Sequence, residues 1–234
     1  MQLPVAILAG GLATRLRPIT ETIPKALVDV AGKPFIVRQL EQLRAQGVSR
    51  VVLCVGYLSE QIEAVVGDGE AVGLSVAYSQ DWPRLLGTGG ALKKALPLLD
   101  SRFLVLYGDS YLPIDFAAVE QAFLRSKKPA LMTVQHNADR WDRSNVLFKD
   151  GMILEYNKRA PRPEMAYIDY GLGVLSAAVL DGESAVEPVD LADIYHRLSL
   201  AGDLAGYEVR ERFYEIGSHQ GLMETEQYFR AQKG

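Results

Sequence analysis

Two adjacent glycines, two arginines and a lysine crowd the stretch LAGGLATRLRPITETIPKAL at residues 8–27, directly after the apolar run LPVAIL. Gly10 and Gly11 let a backbone approach an anion with no Cβ in the way. Arg15 can fork onto phosphate oxygens, and Lys25 can reach in as a point charge. The group reads as a polyphosphate site, the plainer alternative being a glycine turn followed by a solvated basic loop. Its spacing fits neither the dinucleotide fingerprint G-x-G-x-x-G nor the P-loop G-x-x-x-x-G-K-[ST], which sets aside two common nucleotide-binding designs.

Two later loops carry chemistry of their own. In LLGTGGA (85–91) the three glycines could seat a flat ring against backbone, with N–H groups reading its edges. In LYGDSY (106–111) Asp109 stands at the end of an apolar run, where a carboxylate facing phosphates could hold Mg²⁺. A turn or N-cap role for Asp109 is the plainer reading.

The elements that must position these loops alternate between strands and helices. LPVAILAG, VSRVVLCVGY, LSVAYSQ, RFLVLYGD and PALMTVQ read as strands. PFIVRQLEQLRAQG, SEQIEAVVGDG, GALKKALPLL and DFAAVEQAFLRSK between them read as helices. Strands apolar on both sides and separated by helices imply a parallel sheet covered on both faces. After them, NVLFKDGMILEYN is a hairpin around a Lys149-Asp150-Gly151 turn. AYIDYGLGVLS and GYEVRERFYEIG are strand-like, DLADIYHRLSLAG is helical, and GLMETEQYFRAQ is a closing helix. The expected fold is one doubly wound α/β domain, mostly parallel, with antiparallel additions in its second half. Ligands in such sheets sit beyond the carboxyl ends of the strands, where the strand order reverses.

Bulk properties agree. The chain has 234 residues, 48% of them hydrophobic and 23% charged, which is globular composition. A net charge of -4 argues against a nucleic-acid or anionic-membrane surface. No apolar run is long enough to span a membrane and no signal-peptide pattern opens the chain, so neither a membrane nor a nucleic acid is an expected partner. The single cysteine, Cys54, reads as a packed, inert thiol and points to a cytoplasmic setting. His136, His196 and His219 show no metal-ligand spacing.

The opening signature G-G-x-x-T-R-L-x-P…P-K, with LGTGGA, GDS and the late FYEIGS, resembles the sugar-1-phosphate nucleotidyltransferases, or sugar-nucleotide pyrophosphorylases. The resemblance runs from the first strand to the last helix. It implies a Rossmann-like nucleotidyltransferase fold as a single domain over residues 1–234, Mg²⁺ as cofactor, and the reaction NTP + sugar 1-phosphate → NDP-sugar + pyrophosphate. The partners it implies are an NTP and a sugar 1-phosphate, with self-association into a homo-oligomer left open.

Carried onto this sequence, Leu8, Ala9, Gly10, Gly11, Gln80, Gly87 and Thr88 would bind the nucleotide. Arg15 and Lys25 would grip its phosphates, and Asp109 would act with them in catalysis. Asn145, Asn157, Lys158 and Gly171 fall on the sugar-phosphate side, and Asp109 and Glu215 on the metal. The sequence departs from the family pattern at Ala13, where glycine is usual, at Asn145 for glycine, and at Asn157 for glutamate. Glu215 stands for a metal-binding aspartate.

The attacking group would be a sugar-phosphate oxygen, already anionic, so no general base is required. The LGTGGA loop and the short chain, without a β-helix repeat after the catalytic region, look most like guanylyltransferases acting on heptose or mannose 1-phosphates. Uridylyl- and thymidylyltransferases share most of these residues. A non-catalytic sugar-nucleotide binder is the alternative of another class. It could have lost Lys25 or Asp109, and both are present.

Overall fold

The computed structural model describes residues 3–140, 143–184 and 186–232, so the expected domain ends at residues 1, 2, 233 and 234 lie outside the described residues. The first half alternates as expected. It runs β1 (Val5–Leu8), α1 (Phe35–Ala45), β2 (Arg50–Val55), α2 (Ser59–Val66), β3 (Ser75–Gln80), α3 (Gly87–Ala95) and β4 (Arg102–Tyr107). A two-residue strand β5 (Ser110–Tyr111), α4 (Phe116–Ser126) and β6 (Ala130–His136) follow. The second half holds the hairpin β7 (Val146–Lys149) and β8 (Met152–Tyr156), then β9 (Tyr167–Ser176) and α5 (Leu191–Leu200). It closes with β10 (Leu204–Val209), β11 (Tyr214–Glu215) and α6 (His219–Ala231).

Strand alternation builds the two covered faces. Val5, Ile7, Val51, Leu53 and Val55 point to one side, where Ile36, Leu40 and Leu43 of α1, Ile62 of α2 and Phe116 and Val119 of α4 meet them. Ala6, Val52 and Cys54 point to the other, against Leu92 of α3 and Leu191, Ile194 and Tyr195 of α5. A separate small core of Val28, Val30, Phe35, Ile216 and Phe229 fixes α6 against the N-terminal loop.

Among the described residues the main sheet has nine strands, in the order β3-β2-β1-β4-β9-β6-β10-β8-β7. The parallel ladders are β3–β2, β2–β1, β1–β4 and β6–β10. β9 runs antiparallel to both β4 and β6, and β8 antiparallel to both β10 and β7. The antiparallel strand expected as an addition is therefore an insertion: β9 fills the gap between β4 and β6, buried on both faces by Leu172, Val174 and Leu175. The hairpin turn is as read, with Asp150 at φ 51° and Gly151 at φ 78°.

GYEVRERFYEIG does not form one strand. The exposed Arg210 and Glu211 cannot enter a covered sheet, so β10 stops at Val209. Only Tyr214–Glu215 resumes, pairing with β5 in a separate two-stranded ribbon.

Candidate active site

The strand order reverses at β1, whose neighbours β2 and β4 lie on opposite sides. Beyond the carboxyl ends of these strands lie two cavities, of about 210 and about 770 Å³. Close backbone approach builds the first. A Cβ on Gly108 would stand 2.7 Å from the Leu8 carbonyl oxygen, and one on Gly56 would stand 2.7 Å from that of Gly10. Among the described residues nothing stands within 4 Å of where a Gly11 Cβ would lie, and its φ is not positive. A ligand approaching there would account for the glycine where the fold does not.

Leu8, Ala9, Gly10, Gly11, Lys25, Gly87 and Thr88 all line the smaller cavity. Gln80 does not. It ends β3 with its amide donating to Ser59 Oγ at the start of α2. The carboxylate beside it, Asp81, lines the cavity instead. Its Oδ2 accepts the Leu86 N–H at 3.0 Å, and among the described residues its buried Oδ1 has no hydrogen-bond partner. Burial, then the Asp81 charge, pushes the Cys54 thiol up to about 12, which keeps it protonated and unreactive.

The glycines of the second loop are required by the fold itself. A Cβ on Gly87 would meet the Val189 carbonyl oxygen at 2.6 Å and one on Gly89 at 3.1 Å, while the Gly89 and Gly90 N–H groups donate to that oxygen. Thr88 is engaged too, its hydroxyl donating to Asp190 and accepting the Leu191 N–H at the start of α5.

Asp109 and Tyr107 line both cavities. Lys25 Nζ donates to Asp109 Oδ2 at 2.7 Å, and Ser110 Oγ donates to Oδ1 at 3.3 Å. The β5–β11 ribbon sets Glu215 opposite Ser110, so residues 106 apart in the chain become neighbours of Asp109. Glu215 is aimed by the Gly217 N–H on Oε2 and by the Ser218 hydroxyl on Oε1 at 2.6 Å.

The absent Cβ of Gly217 leaves a small cradle. Its position lies 2.7 Å from Glu215 Oε2, 3.1 Å from Asp109 Oδ2 and 3.1 Å from Arg15 Nη2. Among the described residues no group of three or more acidic, histidine or cysteine side chains gathers. Two carboxylates at one cradle are nevertheless a donor set that magnesium accepts when phosphate oxygens and water complete it. The residues present fit that ion. Arg15 lines the larger cavity, not the smaller, and faces the cradle.

Asn145, Lys158 and Gly171 line the larger cavity. Asn157 is absent from it, because its side chain shapes the following turn, Oδ1 accepting the Ala160 N–H at 2.9 Å and Nδ2 donating to Glu155. The sequence reading missed Asp169, which stands at the floor of this cavity. Burial raises its carboxyl to about 6, against the lowering pull of the Gly171 N–H, the Lys158 charge and the Tyr107 hydroxyl. A lone acid inside the apolar run AYIDYGLGVLS was the available signal.

A family model described as nucleotidyl transferase matches residues 5–143. The chain is 46% identical over 116 residues to the N-acetylmuramate alpha-1-phosphate uridylyltransferase of Neisseria meningitidis serogroup B, covering 49% of this chain and 50% of that protein. It is 37% identical over 148 residues to the D-glycero-alpha-D-manno-heptose 1-phosphate guanylyltransferase of Campylobacter jejuni, covering 63% of this chain and 65% of that one. The matched region thus spans less than two thirds of each of these relatives. The crystal structure of HddC from Yersinia pseudotuberculosis complexed with GMP-PN superimposes with a TM-score of 0.81 at 26% identity, covering 97% of this chain and 99% of that one.

Proposed function

Because the chain belongs to the nucleotidyl transferase family, we propose that it transfers a nucleotidyl group from an NTP to a sugar 1-phosphate and releases pyrophosphate. The reading takes residues 1–234 as one nucleotidyltransferase domain working in the cytoplasm. The observation that carries it is the junction at Asp109, where a small glycine-walled cavity meets a larger polar one. The nucleotide fits the first and the acceptor sugar phosphate the second, so the two anions meet where Arg15, Lys25 and the two carboxylates converge.

An acceptor phosphate is already ionised, and neither cavity is lined by a histidine that could serve as base. What remains is to offset repulsion between anions and hold them in line. Arg15 faces the junction, and Lys158 enters from the sugar side. Lys25, 2.7 Å from Asp109, can pass its ammonium to the departing pyrophosphate without crossing the cavity. Magnesium held by Asp109 and Glu215 would supply further neutralisation of phosphate charge.

Asp81 favours guanine. Guanine offers two adjacent donors, N1–H and N2–H₂, to a carboxylate, whereas uracil offers one N–H between two carbonyl oxygens that a carboxylate repels. The similarity to a uridylyltransferase at 46% identity favours the second reading, UTP as donor. Pyrophosphate release measured with four NTPs against heptose, mannose, glucose and N-acetylmuramate 1-phosphates decides between them. No release across the panel from folded protein rejects the transferase reading.

A further inference from the structure

Gln39 of α1 is fully buried and lines neither cavity, and the transfer derived above makes no use of it. Its side-chain amide donates to two backbone carbonyls far along the chain, that of Tyr107 at 3.0 Å and that of Ser110 at 2.7 Å. Asp109 lies between them. We infer that Gln39 is a positioning residue, holding the backbone on both sides of Asp109 so that this carboxylate stands ready for a divalent cation. The inference rests on the reading of Asp109 and Glu215 as the magnesium pair.

A row of glutamines pins the segment that follows β4 to α1. Gln39, Gln42 and Gln46, the last just past the end of the helix, share one side of it at spacings of three and four. Gln42 donates to the Leu112 carbonyl at 2.6 Å, and Gln46 to that of Ile114 at 2.9 Å. Gln39 is the member of the row that grips the segment at Asp109. The Asp109 carbonyl itself accepts the Ile216 N–H at 2.9 Å, which ties the same peptide to the chain beside Glu215.

Leucine at this position would extend the apolar face that Ile36, Leu40 and Leu43 present to the core. Glutamine instead leaves its buried Oε1 without a hydrogen-bond partner among the described residues, which costs stability. What it secures is a pair of like charges. Asp109 Oδ2 and Glu215 Oε2 lie 3.1 and 2.7 Å from the point that a Gly217 Cβ would occupy, so without a cation they push apart. Lys25 offsets that push at Oδ2, but in the proposed transfer its ammonium passes to the pyrophosphate. A clamp on the flanking peptides keeps acting when Lys25 leaves, because it holds backbone rather than charge.

The probe is Mn²⁺, titrated by spin resonance into the unmodified chain, Gln39→Met, Gln39→Glu and Gln46→Met. Each is measured alone and with the α,β-methylene analogues of GTP and UTP. Methionine matches glutamine in length and has no donor. Gln39→Glu keeps the shape and, protonated in this buried position, one donor, so it reports even where Gln39→Met folds poorly. Gln39→Met should bind Mn²⁺ about tenfold more weakly or worse, and Gln39→Glu several fold more weakly. Gln46→Met, which loosens the same segment away from Asp109, should bind it as the unmodified chain does, whatever its loss in Tm. The Mg²⁺ concentration for half-maximal pyrophosphate release should rise in step in the Gln39 variants, with kcat recovered at saturating Mg²⁺. A general loosening of the fold would not give that split. Mn²⁺ affinity unchanged in both Gln39 variants, or an equal loss in Gln46→Met, would overturn the assignment while leaving the magnesium pair in place. An unmodified chain that binds no Mn²⁺ in any of these conditions overturns the metal reading itself, and this assignment with it.

Discussion

Asp169→Asn should make the protein more stable. The Asp169 carboxyl is raised from 3.8 to about 6, with burial as the largest cause. A folded-state value above the unfolded one means that the native chain holds a proton which the unfolded chain has released. Stability therefore falls as pH rises from about 4 through about 6, and the loss is complete above that window. Two units correspond to about 3 kcal/mol at full effect, and solvent reaching the side chain through the cavity brings the expectation to about 2 kcal/mol. Asparagine mimics the protonated acid at every pH, so it should escape this loss. For a chain of this length the gain is about 4–8 °C in Tm at pH 8, shrinking as pH is lowered through 6 and gone near pH 4. Thermal melts of both proteins across pH 4–8 measure it. A variant no more stable at pH 8, or a gain that is the same at every pH, would refute the reasoning.

Other substitutions probe the remaining site. Asp81→Asn should lower kcat/KM for GTP by about tenfold or more and raise UTP relative to it, as a nucleotide panel would read. Lys25→Ala should cut kcat at saturating acceptor. Because Lys25 occupies Asp109 Oδ2, its loss should also tighten Mn²⁺ binding measured by spin resonance without nucleotide. Lys158→Ala should raise KM for the sugar 1-phosphate while calorimetric NTP affinity stays within about twofold. A Cβ on Gly221 would stand 1.8 Å from Glu215 Oε1, so Gly221→Ala should disable turnover nearly as fully as Glu215→Ala. Circular dichroism checks that α6 survives.

Much of this was legible in the residues because it depends on local pattern. Apolar runs alternating with amphipathic ones located β1 to β4 and β6, and an Asp-Gly pair located the hairpin, while the two-residue β5 lay inside a stretch read as a loop. Gly10, Gly11, Lys25 and Asp109 could be picked because loop chemistry after a strand is itself local. What escaped depends on which way a side chain faces at a strand end or inside a bulge. Gln80 and Asp81 are adjacent, and only the turn after β3 decides that the acid enters the cavity. Asn157 looked like a ligand by position, yet a turn four residues long claims its side chain. The glycines of LGTGGA answer to Val189, about a hundred residues away, a contact that spacing cannot announce.

The place of β9 has a consequence for how the chain is made. β4 and β6 come off the ribosome within about thirty-five residues of each other, yet in the finished sheet they never touch. Until residue 176 has emerged, each presents a bare row of backbone N–H and carbonyl groups, an invitation to pair wrongly with each other or with a neighbouring nascent chain. The first half of the sheet therefore cannot be completed before β9 is synthesised, although the family match ends at residue 143. A fragment stopped there should aggregate rather than bind NTP. A separately supplied piece carrying β9 should rescue it, which makes this strand the seam along which the enzyme could be split and reassembled.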